Sequence, residues 1–470
     1  MFFYSSNLKD LIRYIAIIFF NLATLKLKIM NKNILSLIII SIITINFSFA
    51  FQTSKAKRFA KTITEKELSE HLYTYASDEF EGRDTGAPGQ KKAVEYIRNY
   101  YKSIGIEPGD LEGDYFQEMT LTMRGRRGQK PKTVETENVI AIIKGSEKPD
   151  EYVVITAHLD HVGITDGEIY NGADDDGSGT VALLEIAEAF KKAADKGKGP
   201  KRSIVFLHVT GEEKGLLGSA YYADNPVYPL ANTVVNLNVD MIGRIDPTRR
   251  EKNRDYIYLI GSDHDSIDLH ELSEQTNAES VNMTLDYRFN DKNDPNRFYY
   301  RSDHYNFAKN GIPIIFYFTG THADYHQPSD TPDKIEYDLL ELRSKLIFYT
   351  AWNIANRDKR IVVDPKAEKT SFSISEEDLK KFVGLYASDL MPLKYEVYTK
   401  DGDLAMNPVG MDQELVLEAT SKNTFKQEIA GMEVTFSEGT MKLKMQGREI
   451  SFKAVTTAPK EDEDNNTKLE

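Results

Sequence analysis

Histidine and carboxylate residues gather at a few places along this 470-residue chain, mostly just past a run of apolar, β-branched residues. His158, Asp160 and His161 follow the run 152–157, Glu212 and Glu213 follow 203–209, and Asp240 closes 233–239. Asp174, Asp175 and Asp176 stand in a row between Gly172 and Gly177, and His322, Asp324, Tyr325 and His326 follow the run 313–318. The chain has no cysteine, which excludes disulfides, thiolate zinc sites, a cysteine nucleophile and a lipid-anchor cysteine. Imidazole and carboxylate without thiolate suit zinc in a hydrolytic site. The His158-Leu159-Asp160 spacing lets a carboxylate meet the far nitrogen of the ring, the partner that a metal-bound histidine needs. Three adjacent aspartates repel one another unless a cation neutralises them; a solvated turn capping the next helix is the other reading. Neighbouring carboxylates such as Glu212 and Glu213 point in different directions, so one can bind metal while the other works as a base. Two metals sharing a carboxylate can clamp a water and lower its pKa, and a nearby free carboxylate can pass its proton to a leaving amine.

Such residues work only if elements bring them together. Residues 64–105 read as two helices, 66–76 and 90–104, around the breaker-rich loop 79–89. Strands are expected over 138–143, 152–157, 203–209, 233–239, 256–260 and 313–318. Helices are expected over 178–190, 214–222, 267–276, 302–308 and 336–356. Buried strands alternating with helices predict an α/β fold, a mostly parallel mixed sheet sandwiched by helices. Ligand sites of such sheets lie at the carboxyl ends of the strands, where these side chains fall.

The remaining stretches read as accessory. Residues 1–50 are a targeting segment: a short basic start at Met30–Asn33, an apolar run over 34–47, and Ser48-Phe49-Ala50 at the spacing of a signal cleavage site. Cleavage after Ala50 would make the protein secreted or periplasmic, with no membrane attachment afterwards; an uncleaved anchor is the competing reading. Met30 is an alternative start. Residues 358–372 are a charged linker, 373–457 a small antiparallel β-rich domain beginning with a short helix over 376–382, and 458–470 a charged tail without expected order. The net charge of −14, from 73 acidic and 59 basic residues, disfavours nucleic acid and is compatible with cationic partners. Oligomeric state is not legible.

The set His158-Leu159-Asp160, Gly172-Ala173-Asp174-Asp175, Gly211-Glu212-Glu213, Asn238-Val239-Asp240 and Tyr325-His326 closely resembles the co-catalytic zinc aminopeptidases. That group includes bacterial leucyl aminopeptidases, aminopeptidase Y and, more distantly, glutamate carboxypeptidase and the transferrin receptor. The likeness runs over residues 64–357, with the motifs in the family's order. It implies two Zn2+ ions: His158 and Asp240 on one, Glu213 and His326 on the other, and Asp174 bridging both with an unusual peptide geometry to Asp175. It also implies Glu212 as general base and acid, Asp160 orienting His158, and Tyr325 hydrogen-bonding the tetrahedral intermediate. Ser302-Asp303-His304 resembles a further family segment, with a helix cap supporting the site as the equal alternative. The segment 115–150 is too short for the protease-associated insert that many relatives carry. Phe382-Val383-Gly384-Leu385-Tyr386 resembles the opening of small β-rich domains appended to bacterial hydrolases. The implied activity is removal of residues from peptides with a free amino terminus. A carboxypeptidase or other amide hydrolase on the same scaffold is the alternative; a carboxypeptidase would need Arg or Lys aimed at the substrate carboxylate, for which Arg244, Arg288, Arg297 and Arg301 are candidates. A non-catalytic binding ectodomain would not need the complete ligand set. His71, His208, His264 and His270 lack ligand spacing, and His208 is expected in the core; His161 and His322 lie near the site, where they could contact substrate.

Overall fold

Largely apolar runs that are buried on both faces become the middle of a nine-stranded mixed sheet. The computed structural model describes residues 55–110, 113–123, 131–365, 372–410, 414–445 and 448–455. The sheet, its helices and the carboxy-terminal module belong to one compact unit, Phe59–Glu470. Residues 1–50, expected to be a targeting segment, and the expected tail 458–470 lie outside the described residues, among which no helix is long and apolar enough to cross a membrane.

In chain order the strands are β1 (Glu107–Pro108), β2 (Phe116–Met123), β3 (Lys132–Ile143), β4 (Lys148–His158), the separate hairpin β5 (Gly163–Thr165) and β6 (Glu168–Tyr170), β7 (Arg202–Val209), β8 (Thr233–Val239), β9 (Tyr256–Ile260), β10 (Thr284–Asp286) and β11 (Ile314–Phe318). The spatial order is β1-β3-β7-β4-β8-β11-β9-β10, with β2 paired to β3. The four central strands β7, β4, β8 and β11 run parallel. Antiparallel pairings flank them, β3 on β7 and β9 on β11. The carboxyl ends of β7, β4, β8 and β11 therefore lie side by side on one edge of the sheet, where four of the sequence motifs begin.

Helices cover both faces, as a sheet buried on both sides requires. They are α1 (Glu65–Tyr75), α2 (Pro88–Ser103), α3 (Gly179–Ala194), α4 (Leu217–Asp224), α5 (Ile267–Glu279), α6 (His304–Ala308) and α7 (Tyr337–Asn356). Alternation decides which side chain goes where. Ile140 and Ile142 of β3, Val154 of β4, and Val205 and Leu207 of β7 share a core with Tyr222 of α4 and Phe307 of α6. Phe206, one residue out of phase, meets Phe190 of α3 on the opposite face, where Phe190 in turn packs against Phe348 and stacks on Trp352 of α7. His208 is buried in β7 with Nε2 2.7 Å from the Tyr101 hydroxyl, a core residue as expected.

The carboxy-terminal region closes on itself. A short helix α8 (Glu376–Leu379) precedes β12 (Gly384–Ala387), β13 (Lys394–Lys400), β14 (Asp403–Pro408), β15 (Leu415–Ala419), β16 (Thr424–Gln427), β17 (Met432–Ser437), β18 (Thr440–Met445) and β19 (Arg448–Val455). All neighbours are antiparallel, and β12 pairs with β19, so the module is an eight-stranded barrel without a free edge. Val397, Leu404, Phe425, Val434 and Met441 fill its interior.

Candidate metal centre

Each strand of the parallel quartet delivers its polar residues to one place. β4 ends on His158, whose ring is almost fully buried with Nε2 3.1 Å from Asp175 Oδ1 and 3.7 Å from Asp240 Oδ1. Asp240 follows β8. Its Oδ2 accepts from Ser302 Oγ at 2.6 Å, and that hydroxyl accepts from Asn238 Nδ2 at 2.8 Å. Ser302, in front of α6, therefore holds a site carboxylate; this favours the supporting role for the Ser302-Asp303-His304 segment. The loop after β7 supplies Glu212 and Glu213, and the loop after β11 supplies His326. His326 Nε2 lies 3.1 Å from Glu213 Oε1 and 3.0 Å from Asp175 Oδ2. Asp175 thus stands between two clusters, with one oxygen towards His158 and the other towards His326.

This places the expected bridge one residue further along the chain. Asp174 is buried but turned away: its Oδ1 accepts from the Gly243 backbone N–H at 2.6 Å, and its Oδ2 lies 3.1 Å from His322 Nε2. The cis peptide likewise falls between Asp175 and Asp176, not between Asp174 and Asp175. Asp176 binds backbone, accepting from the N–H groups of His158, Gly179 and Met241 at 3.1, 2.9 and 3.1 Å. Asp330 completes the cradle by accepting from the N–H groups of Asp174 and Asp175 at 2.9 and 3.2 Å. The three adjacent aspartates are thus separated by direction, and only the middle one faces the clusters.

A second correction concerns Asp160. It orients His158, but through its main-chain carbonyl, 3.0 Å from His158 Nδ1; its carboxylate Oδ1 is 3.8 Å away. That carboxylate instead accepts from Thr85 Oγ1 at 2.8 Å and from the Glu212 N–H at 3.1 Å. It thereby sets the loop that carries both glutamates. Arg83 is a functional residue that sequence reasoning misses. Its buried guanidinium donates to the carbonyls of Leu159, Tyr75, Asn171 and Gly172 at 3.1, 3.2, 2.7 and 2.9 Å. An arginine inside a Gly-rich loop is the only signal the sequence offers for it.

The donor atoms fit divalent metal. His158 Nε2, Asp175 Oδ2 and Glu213 Oε1 are buried and make no hydrogen bond, although opposing donor atoms lie within about 3 Å. Buried polar atoms ordinarily find partners, and oxygen and imidazole nitrogen converging on a common point suit zinc. Two such groupings exist among the described residues at this edge of the sheet, His158 with Asp175 and Asp240, and His161 with Asp175 and Glu213, on which His326 also bears.

A small pocket opens beside them, lined by Asp175, Glu212, Asp240, Met241, Phe298, Arg301, Phe316, Phe318, Thr321 and Tyr325. Burial pushes the Glu212 carboxyl well above the usual carboxylate range, against the pull of the His158 ring. Tyr325 stacks on His326 with ring centroids 3.9 Å apart, and burial holds its phenol protonated far above neutral pH. Of the four arginines considered for a substrate carboxylate, Arg244 pairs with Asp324 at 2.9 Å. Arg288 donates to the Tyr258 hydroxyl at 2.6 Å and Arg297 to the Ile429 carbonyl at 3.1 Å. Arg301 lines the pocket.

Residues 138–351 match the model of peptidase family M28. A probable zinc metalloprotease of Pyrenophora teres f. teres is 29% identical over 266 residues, 48% of this chain and 53% of that protein. Aminopeptidase YwaD of Bacillus subtilis is 29% identical over 290 residues, 59% of this chain and 56% of that protein. The chain thus spans about half the length of these curated relatives. Among solved structures, an aminopeptidase from Aneurinibacillus sp. strain AM-1 aligns over 66% of this chain and 98% of its own, at 18% identity and a TM-score of 0.49.

Proposed function

We propose, from the match of residues 138–351 to the model of peptidase family M28, that the chain is a zinc-dependent exopeptidase that removes residues from the free amino terminus of peptides. One observation carries the reading: Asp175 stands between a His158–Asp240 grouping and a Glu213–His326 grouping whose buried donor atoms are otherwise unpaired. His158 and Asp240 would hold one zinc, Glu213 and His326 the second, and Asp175 both. Bound zinc supplies Lewis acidity and a lowered water pKa.

The remaining chemistry belongs to the chain. Glu212 faces the pocket with a carboxyl whose proton affinity burial has raised, the property required to take a proton from water and return it to the departing amine. The Tyr325 phenol, protonated and at the pocket wall, donates to the carbonyl oxygen as it gains charge. Met241, Phe298, Phe316 and Phe318 exclude water from the side chain next to the scissile bond. The carboxylates at the pocket floor receive the substrate's amine. In the same proposal this work lies outside the cytoplasm, a reading supported by the amino-terminal pattern of residues 1–50, and amino-terminal sequencing of the mature protein should read Phe51 first.

The test is hydrolysis of a panel of aminoacyl chromogenic amides, with and without chelator, beside amino-terminally acetylated versions. Cleavage of free-amine substrates alone, abolished by chelator, is expected. Cleavage of blocked substrates, or of peptides from the carboxyl end in a manner lost in Arg301→Ala, would move the assignment to a carboxypeptidase on the same centre.

A further inference from the structure

We propose that His161 is a sixth protein ligand of this centre, completing the half built on Glu213 and His326. The inference rests on the two-metal reading of the site.

His161 Nδ1 lies 2.9 Å from Glu213 Oε1 and 3.7 Å from Asp175 Oδ2. These are the two oxygens that His326 Nε2 approaches at 3.1 and 3.0 Å. Four donor atoms from four residues thus surround one volume, and His161 Nδ1, Asp175 and Glu213 satisfy the spacing of a metal site by themselves. The contacts are short enough for hydrogen bonds, yet neither ring nitrogen of His161 makes one, nor do Glu213 Oε1 and Asp175 Oδ2. His158 Nε2, in the other half of the centre, has the same signature: 3.1 Å from a carboxylate oxygen and no hydrogen bond. Lone pairs that face one another in a buried space, rather than lying along an N–H, are the arrangement a shared cation requires.

The ring cannot leave this position. It has no exposed surface, and its main-chain N–H donates to the Arg83 carbonyl at 3.2 Å. Gly172, at φ +56°, presses on it so closely that a Cβ there would sit 2.5 Å from His161 Cγ and Cδ2. His161 is fully buried and is not among the residues that line the pocket.

The experiment titrates the metal-free full-length protein with Co2+, following visible absorption and bound metal, for the wild type and His161→Ala. The expected wild type takes up two equivalents. In the variant one equivalent should bind with unchanged affinity and spectrum, while the other weakens at least about tenfold and its band shifts. Two wild-type-like equivalents in the variant would overturn the ligand assignment and leave the two-metal reading intact. Fewer than two in the wild type would overturn both. Should the variant fail to fold, proton NMR of the Co2+-loaded wild type decides: hyperfine-shifted signals from three imidazole rings support the proposal, and from two overturn it.

Discussion

Glu212 and Glu213 are adjacent in the chain and opposite in electrostatics. Burial holds the Glu212 carboxyl well above the ordinary range. At Glu213 burial and the Asp175 carboxylate push the same way, but the His161 and His326 rings outweigh them and hold it low. Two carboxylates whose proton affinities are driven apart divide the labour of base and ligand. Glu212→Gln should therefore keep both zinc ions and lose about 10^2- to 10^4-fold in kcat; near-normal turnover would remove Glu212 from the base role. Asp174 is a different case. Its removal leaves the Gly243 N–H and His322 without their acceptor, at a cost of about 1–3 kcal/mol. Asp174→Ala should lower the denaturation midpoint, and an unchanged midpoint would contradict that role. The identity of the bridging aspartate was not legible, because three neighbours share one chemistry. What separates them is tertiary: the N–H groups of His158, Met241 and Gly243, contributed by β4 and the segment after β8, capture Asp176 and Asp174 and leave Asp175 facing the clusters.

At the scale of elements, the site is where parallel strands end, and that much could be read directly. β7, β8 and β11 are buried along their whole length and β4 from Tyr152 onward, and largely apolar, β-branched runs of this kind mark central strands. The antiparallel partner β2 carries the weaker signal of an alternating, half-buried strand, with Met119, Leu121 and Met123 inward, and its residues do not stand out in the sequence. Loop conformation was least legible. Arg83 joins the end of α1, the β4 exit and the start of the aspartate turn through four carbonyls, and no periodicity announces such a pin. Removing a buried, fully engaged guanidinium costs on the order of 3–5 kcal/mol. Arg83→Met should accordingly unfold at markedly lower denaturant, and a loss below about 1 kcal/mol would show that the pin is redundant.

For the molecule as a whole, pH and the barrel matter. Burial pushes His208 and His304 down to about 3. In the unfolded chain each titrates near 6.5. Between these values the unfolded chain binds protons that the folded one does not, so stability present above pH 6.5 is lost as pH falls, at about 1.4 kcal/mol per unit and group. His208→Gln keeps an acceptor for the Tyr101 hydroxyl and should lose about 2 kcal/mol less than the wild type between pH 6.5 and 5. Parallel stability curves would contradict this. The barrel, legible from its strand–turn alternation but not as a closed ring, meets the peptidase region where Arg297 and Tyr300 reach Ile429 and Glu428. Phe298 and Arg301 of the same segment line the pocket. Arg297→Ala should raise KM roughly fivefold, about 1 kcal/mol, with kcat unchanged; an unchanged KM would make the barrel irrelevant to substrate. The central claim is a two-zinc centre bridged by Asp175, and zinc counted per chain after exhaustive dialysis tests it most directly. Two ions in the wild type and in Asp174→Ala, with neither retained stoichiometrically in Asp175→Ala, are expected. Full zinc content in Asp175→Ala, or its loss in Asp174→Ala instead, would contradict the account.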